Sequence, residues 1–353
     1  MNILAIDPGS TSTKIGIFSN DKLMKYNIEH LDEEFIKIVR VIDQEVVRFN
    51  NIKHFLVENN LYNLKFDAVV ARGGLLKPIE GGVYQVNDKI LNDLKCGVNG
   101  EHPANLGGIL AMRFAKIYDC KAYIVDPPVI DEMWEIAKIT GIKDILRKSK
   151  FHALNHKEVA RRIAINELGK KYEESTLIVA HLGGGITIGL HKNGKVVDVN
   201  NGLDGDGPFA VERAGGLPID GLIDFMEKNN ISFSQLKRII SKESGIFSLL
   251  KTKNMKDVEK LYNTDNYVKT VVEAFVYNIV KEIGSLYAAA CGLVDALVIT
   301  GGLAKSEFFM SKIKEYLKFL DKIFIVPGEY EIEALVNGAI RVLKGEEDAK
   351  IYE

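Results

Sequence analysis

The sequence has little surplus charge, few cysteines and no long apolar run, and each shortage closes off a class of function. Net charge is −2 over 353 residues, which removes the electrostatic reason to expect a nucleic-acid or anionic-membrane partner. The three cysteines, Cys96, Cys120 and Cys291, are scattered, match no metal motif and suit a reducing compartment. The most apolar late stretch, "SLYAAACGLVDALVIT", is broken by Asp295 and is too short to span a bilayer. A strand opens the chain without a basic flank and a long apolar region, so no signal peptide is expected. No low-complexity segment or Pro/Ser-rich linker interrupts the sequence, and the nucleoside-triphosphate P-loop pattern G-x-x-x-x-G-K-[ST] is missing. A cytoplasmic globular protein is the expectation. The 46% hydrophobic content is enough for a sizeable core, and the length is comfortable for two domains.

What is present is an alternation of Ile/Val-rich strands with helical patterns, which predicts an α/β architecture with a mixed sheet. "NILAI", "TKIGIF" and "LMKYNIE" read as three strands joined by tight turns. "EEFIKIVRVIDQEVVRF" has helical periodicity, with Asp32 as its cap. "FDAVVA", "PANLGGILAMRFAKIY" and "KAYIVD" read as strand, helix and strand. The order then restarts in "STLIVAHLGGGITIGLHKNGKVVDVN", where Asn193-Gly194 signals a hairpin. A long helix is expected to bury Val268, Val271, Val272, Phe275, Val276, Ile279, Val280, Ile283 and Leu286. "DALVIT", a helix after "GGLAKSEFF", "IFIVP" and a helix over "IEALVNGAIRVLKG" complete the chain. The pattern implies two similar halves with a boundary near residues 148–155.

Three turns share a design: residues 7–13, 181–187 and 300–306. Glycine lets backbone N–H groups approach a ligand, and successive N–H groups make an anion-binding concavity. Ser10, Thr11, Ser12 and Thr13 add hydroxyl donors, and Lys14 can add charge. Most glycine-rich hairpins only close hairpins. Three adjacent glycines after a buried strand, in "HLGGGIT", point more sharply to something approaching the backbone.

"DPGSTSTK", "AHLGGGIT" and "VITGGLAKS" resemble the phosphate and adenosine motifs of the acetate and sugar kinase, Hsp70 and actin superfamily. "ARGGLLKPIEGG", "GEHPANLG", "VDPPVIDE", "FHALNHKEVARR" and "LDGDGPFAVERAGGLP" resemble the butyrate kinase family, relatives of acetate kinase, and the resemblance runs over nearly the whole chain. It implies two duplicated ribonuclease-H-like domains of the actin-like ATPase type with an active-site cleft between them. The first would span residues 1–150, completed by a C-terminal helix over 332–353. The second, nucleotide-binding domain would span 151–331. The implied reaction is reversible phosphoryl transfer between ATP and butanoate, giving butanoyl phosphate and ADP, with Mg²⁺, in a homodimer or higher homo-oligomer. No nucleic-acid or membrane partner is implied.

The resemblance assigns Arg72 and Arg213 to the acyl carboxylate and the transferring phosphoryl group, although the usual fate of an arginine is a surface salt bridge. His152 matches the active-site histidine, which would donate to the phosphoryl oxygens. Asp126 is the first Mg²⁺ candidate, with Glu329 or Glu331 as a second. Asp7 stands where acetate kinase relatives usually have Asn, and a carboxylate there implies a metal-bound water. Phosphate contacts fall to Gly9, Ser10, Thr11, Ser12, Lys14, His181, Gly183, Gly184 and Gly185, and adenosine contacts to Gly301 and Gly302. His102, His156, Asp204 and Asp206 carry no individual assignment. His152 and His156 have metal-helix spacing but lack the following glutamate, so no zinc site is expected. Isobutanoate or acetate as the acid, a sugar kinase, and an ATP-driven conformational module of the Hsp70/actin type are the competing readings. A sugar kinase needs an Asp base for a hydroxyl, whereas a carboxylate is already ionised at neutral pH.

Overall fold

The computed structural model describes residues 1–30, 35 and 38–353. These form two compact units, one of Met1–Asp131, Ala153–Glu158 and Tyr330–Glu353, the other of Glu132–His152 and Val159–Glu329.

The first unit holds β1 (Ile3–Pro8), β2 (Ser12–Ser19), β3 (Lys22–Glu29), β4 (Ala68–Arg72), β5 (Val83–Gln85) and β6 (Lys121–Val125), in the order β3-β2-β1-β4-β6-β5. β1 pairs antiparallel with β2 and parallel with β4, and all six of its residues are buried. Burial on both sides explains its unbroken apolar run. Leu4 and Ile6 face a core built with Phe49, Ile52 and Leu56 of helix Glu45–Glu58 and with Leu106, Leu110 and Phe114 of helix Asn105–Tyr118. Ile3 and Ala5, on the opposite face, pack with Ile332, Leu335, Val336 and Ala339 of helix Glu331–Leu343. The period-two alternation of a strand thus sorts one short run between two helical layers.

The second unit holds β7 (Thr176–Leu182), β8 (Ile186–Lys192), β9 (Lys195–Val199), β10 (Ala296–Gly301) and β11 (Ile323–Pro327), in the order β11-β10-β7-β8-β9. β7 pairs antiparallel with β8 and parallel with β10. Its path repeats that of β6-β4-β1-β2-β3. The repetition reaches the turns. Asn20 and Asp21 between β2 and β3, and Asn193 and Gly194 between β8 and β9, all have positive φ, as a two-residue hairpin turn demands. Helix Asn266–Ala289 is capped by the Asp265 side chain and buries all nine residues of the expected stripe against this sheet. Among the described residues no helix is long and apolar enough to cross a membrane.

Two expectations change. The C-terminal helix expected over 332–353 runs Glu331–Leu343. Asp32, Glu33, Glu34, Ile36 and Lys37 of the helix expected over 33–49 and its cap lie outside the described residues. Of the remainder, Val39 and Arg40 are not helical, Val41–Gln44 is a 3₁₀ turn, and the α-helix runs Glu45–Glu58. Phe35 is itself helical, so the expected helix is not continuous: the break spans Ile38, Val39, Val41 and Ile42, whose β-branched side chains lose χ1 freedom in a helix.

Candidate functional site

In the first unit β1 delivers Asp7 to the start of the β1–β2 turn. Asp7 is 4% exposed, and its Oδ1 is buried without a hydrogen-bond donor. Arg72 ends the neighbouring β4 and brings Nη1 to 3.5 Å from that oxygen. The end of β4 is fixed from behind: a Cβ on Gly107 would stand 2.1 Å from the Arg72 carbonyl oxygen, so only glycine lets helix Asn105–Tyr118 approach so closely. His102 belongs to the same electrostatic neighbourhood. Burial and then the Arg72 charge push its pKa below the ordinary value, while Asp7 opposes them. Its Nδ1 accepts from the Ala104 N–H at 3.1 Å, so the neutral ring carries its proton on Nε2.

Ser10 and Thr11 are exposed at the tip of the turn, and Gly9 and Ser12 flank them half-buried. Lys14 is aimed at Glu331, with Nζ 4.0 Å from Oε2. Asp126 follows β6 at φ +37° and is buried. Its Oδ1 accepts from the Gly82 N–H at 2.8 Å, and its own N–H donates to the Gly82 carbonyl at 3.0 Å. Glu331 opens helix Glu331–Leu343 in the first unit, whereas Glu329 is exposed and belongs to the second. His156 is fully buried in the first unit.

In the second unit His181 is buried on β7, and its ring stacks on that of His152 at 3.9 Å between centroids and 9° between planes. His152 Nδ1 and Thr187 Oγ1 are hydrogen-bonded at 3.0 Å, which fixes the orientation of the ring. Thr187 lies on β8, directly after the turn of Gly183, Gly184 and Gly185. Arg213 Nη1 donates to the Gly202 carbonyl at 2.6 Å. A Cβ on Gly185 would sit 1.8 Å from the same nitrogen, so the guanidinium lies flat against the bare glycine backbone. Burial lowers the Arg213 pKa, with Glu212 and Asp204 opposing. Among the described residues no carboxylate comes within ion-pair distance of Arg213. A half-buried cation without an acid partner suits an anionic ligand.

Asp204 and Asp206 brace this region. Asp204 pairs with Lys150 at 2.6 Å, and Lys150 and Asn201 hold its carboxyl below the ordinary range against the cost of burial. Asp206 accepts from the Asn201 and Gly207 N–H groups and lies 3.5 Å from Arg147.

Gly301 ends β10 at φ +92°, where a Cβ would collide with the Leu182 backbone, and Gly302 is exposed beside it. Gly183, Gly184 and Gly302 line one cavity of about 1130 Å³ with Leu303, Lys256 and Phe308. Its size and mixed lining suit a nucleotide-sized ligand.

The structure thus gathers Asp7, Arg72 and His102 in one unit. In the other it gathers His152, His181, the three glycines and Arg213, with Gly302 reached through the cavity. Gly202 escaped the sequence reading, and Thr187 was read only as the end of the 181–187 turn. Their contacts are made with partners 11 and 35 residues away in sequence, which local pattern does not reveal.

Known proteins resemble this chain in sequence and in fold. Residues 131–322 match the acetokinase family. Butyrate kinase 1 of Clostridium acetobutylicum is 46% identical over 352 residues, covering 99% of each chain. The acetate kinase of Porphyromonas gingivalis superposes with a TM-score of 0.77 at 21% identity, covering 97% of this chain and 99% of that one. A propionate kinase from Francisella tularensis gives 0.71 at 21% identity, covering 95% and 98%. The two solved structures carry the fold alone: the duplicated ribonuclease-H-like α/β architecture that the motifs implied. With the relative matched from end to end, the chain belongs to the acetokinase family.

Proposed function

We propose that this chain is a butyrate kinase, transferring phosphoryl reversibly between ATP and butanoate to give butanoyl phosphate and ADP. The observation that carries this reading is the full-length similarity to a butyrate kinase, 46% identical over 352 residues.

The chemistry follows from the residue types. Butanoate is ionised at neutral pH, so its carboxylate oxygen can attack the γ-phosphorus without a general base. A bond forms from that oxygen to phosphorus, and the bond from phosphorus to the β–γ bridging oxygen breaks. The electron pair leaves with ADP. Arg72 is assigned to the carboxylate, which a guanidinium fork can hold in two places. Arg213 and His152 are assigned to the equatorial oxygens, where charge builds as the phosphoryl group moves. The turns 9–12 and 183–185 hold phosphates, Lys14 adds charge, His181 supports His152, and Gly301 and Gly302 underlie the adenosine.

Mg²⁺ binds oxygen donors, keeps several waters and takes one or two carboxylates besides substrate phosphates. The donorless Oδ1 of Asp7 fits such a partner through a metal-bound water. Asp126 is the second carboxylate assigned, with Glu329 or Glu331 outside it. When bound, the ion would neutralise charge on the phosphate tail. A homodimer or higher homo-oligomer and a cytoplasmic setting accompany this reading.

Comparing kcat/KM for acetate, propanoate, butanoate and isobutanoate tests the substrate. One methylene in an apolar pocket is worth about 1–3 kcal/mol, so butanoate should lead acetate by well over tenfold. A preference for acetate would overturn the butanoate assignment, and a preference for isobutanoate would move it to a branched acid.

A further inference from the structure

Helix Glu45–Glu58 carries an arginine where its apolar stripe leads one to expect a hydrophobic residue. Arg48 shares the buried face with Phe49, Ile52 and Leu56 and is 0% exposed. Among the described residues no carboxylate pairs with it, and its guanidinium packs 5.0 Å from the Phe35 ring centroid. Burial lowers its pKa to about 10, still far above neutrality, so it remains a cation. An unpaired buried cation is costly unless every donor is satisfied.

Here the donors are satisfied by the β1–β2 turn. Nη2 donates to the Gly9 carbonyl at 2.7 Å and the Ser10 carbonyl at 3.2 Å. Nη1 donates to the Ser12 carbonyl at 3.0 Å and to Thr13 Oγ1 at 2.9 Å. Gln44 Oε1 accepts from Nη2 and Nε at 2.9 and 3.2 Å and sets the plane of the group. The remaining carbonyl of the turn, on Thr11, accepts from the His30 N–H at 2.8 Å. Thr13 Oγ1 in turn hydrogen-bonds the His30 ring at 2.8 Å, and Asn51 holds the other ring nitrogen at 2.9 Å. All four carbonyls of residues 9–12 are therefore occupied from inside the protein. The N–H groups of Ser10 and Thr11 have no partner among the described residues, and both residues are exposed.

We propose that Arg48 is the positioning residue of the first phosphate turn: its buried guanidinium gathers the turn's carbonyl oxygens and so turns Ser10 and Thr11 N–H groups toward a phosphate of the nucleotide. The proposal rests on the assignment of this turn to phosphate under the proposed function. The missing acid completes the device. An aspartate at the position of Gln44 would cancel the charge, whereas the amide oxygen leaves it intact behind the anion. Anions are favoured by donors and positive potential supplied together.

The test compares wild type, Arg48→Met and Arg48→Lys by calorimetric titration with MgATP and with adenosine, alongside kcat, both KM values and thermal melting. Charge-assisted hydrogen bonds of this kind correspond to an effect of about 10–100-fold. Arg48→Met should raise the MgATP dissociation constant by that factor, with Arg48→Lys between it and wild type. Adenosine affinity and the KM for butanoate should stay within about twofold, a split that general loosening of the fold would not produce. A folded Arg48→Met protein with unchanged MgATP affinity overturns the proposal, as does an equal loss for adenosine. If Arg48→Met does not fold, Arg48→Lys and Gln44→Leu carry the same test, and unchanged MgATP affinity in either overturns it. Failure of the functional reading looks different: wild type itself would form no ADP when butanoate is added.

Discussion

The β1–β2 and β7–β8 turns occupy equivalent places in two sheets that share a five-strand path, yet they are built from different chemistry. The first is rich in hydroxyls, and its carbonyls are tied down by a guanidinium buried beneath it. The second is three glycines, with the Arg213 guanidinium packed against the Gly185 backbone instead. The contrast teaches that a repeated fold fixes where an anion-binding turn can occur and leaves open how its donors are aimed. One turn is shaped from within by Arg48. The other is stripped of side chains so that Arg213 can lie flat and His152 can be held by Thr187.

The largest effect expected from breaking this contrast is at Arg213. Its replacement by Ala should lower kcat by about 10³-fold or more, as for other arginines that stabilise phosphoryl transfer. Steady-state turnover checks this, and unchanged turnover would remove Arg213 from the reaction.

The glycines separate shape from composition. Gly185→Ala places a methyl group where Arg213 Nη1 lies, whereas a Cβ on Gly184 meets nothing within 4 Å. A displacement of about 1 Å can cost on the order of 10²-fold. Gly185→Ala should therefore lose about that much turnover and Gly184→Ala no more than a few-fold. Similar losses in both would mean that the turn needs flexibility rather than room for Arg213.

At the first turn Asp7→Asn keeps the shape and removes the charge facing Arg72. The Mg²⁺ concentration for half-maximal rate should rise by roughly tenfold, the usual scale for a supporting metal contact. An unaltered Mg²⁺ requirement would end the role given to Asp7.

The smallest effect is on stability. Glu282, in helix Asn266–Ala289, is pushed from the ordinary 4.5 up to about 7 by burial and by the charges of Asp206 and Asp198, with Arg147 opposing. The native state then holds the proton more tightly than the unfolded chain, so stability falls as pH rises from about 4.5 to about 7. Glu282→Gln should raise the melting temperature more at pH 8 than at pH 4. Equal shifts at the two pH values would show that the carboxyl does not titrate in this range.

Much of the fold was legible because it is written in local periodicity. The stripe from Val268 to Leu286 and the Asn193-Gly194 turn declare helix and hairpin without reference to anything distant. The helix expected over 33–49 was less legible, because spacing registers apolar residues but not the cost of crowding β-branched ones. At the candidate site the glycine and hydroxyl turns were visible as patterns, and Arg72, His152 and Arg213 stood out through resemblance. Thr187 and Gly202 act through partners brought near only by folding. Glu329 and Glu331, neighbours in sequence, fall in different units, a separation that two-residue spacing gives no means to see. Arg48 did leave a trace: a charged residue at i, i+4 and i+8 with Ile52 and Leu56 on an apolar face has to find its partners inside the protein.

The central claim is that this chain transfers phosphoryl from ATP to a short-chain carboxylate. Incubating the intact protein with MgATP, butanoate and hydroxylamine tests it most directly, since an acyl phosphate is trapped as the hydroxamate. The account predicts hydroxamate that depends on both ATP and butanoate and is nearly abolished by Arg213→Ala. ATP consumed at the same rate without butanoate, with no hydroxamate formed, would contradict it.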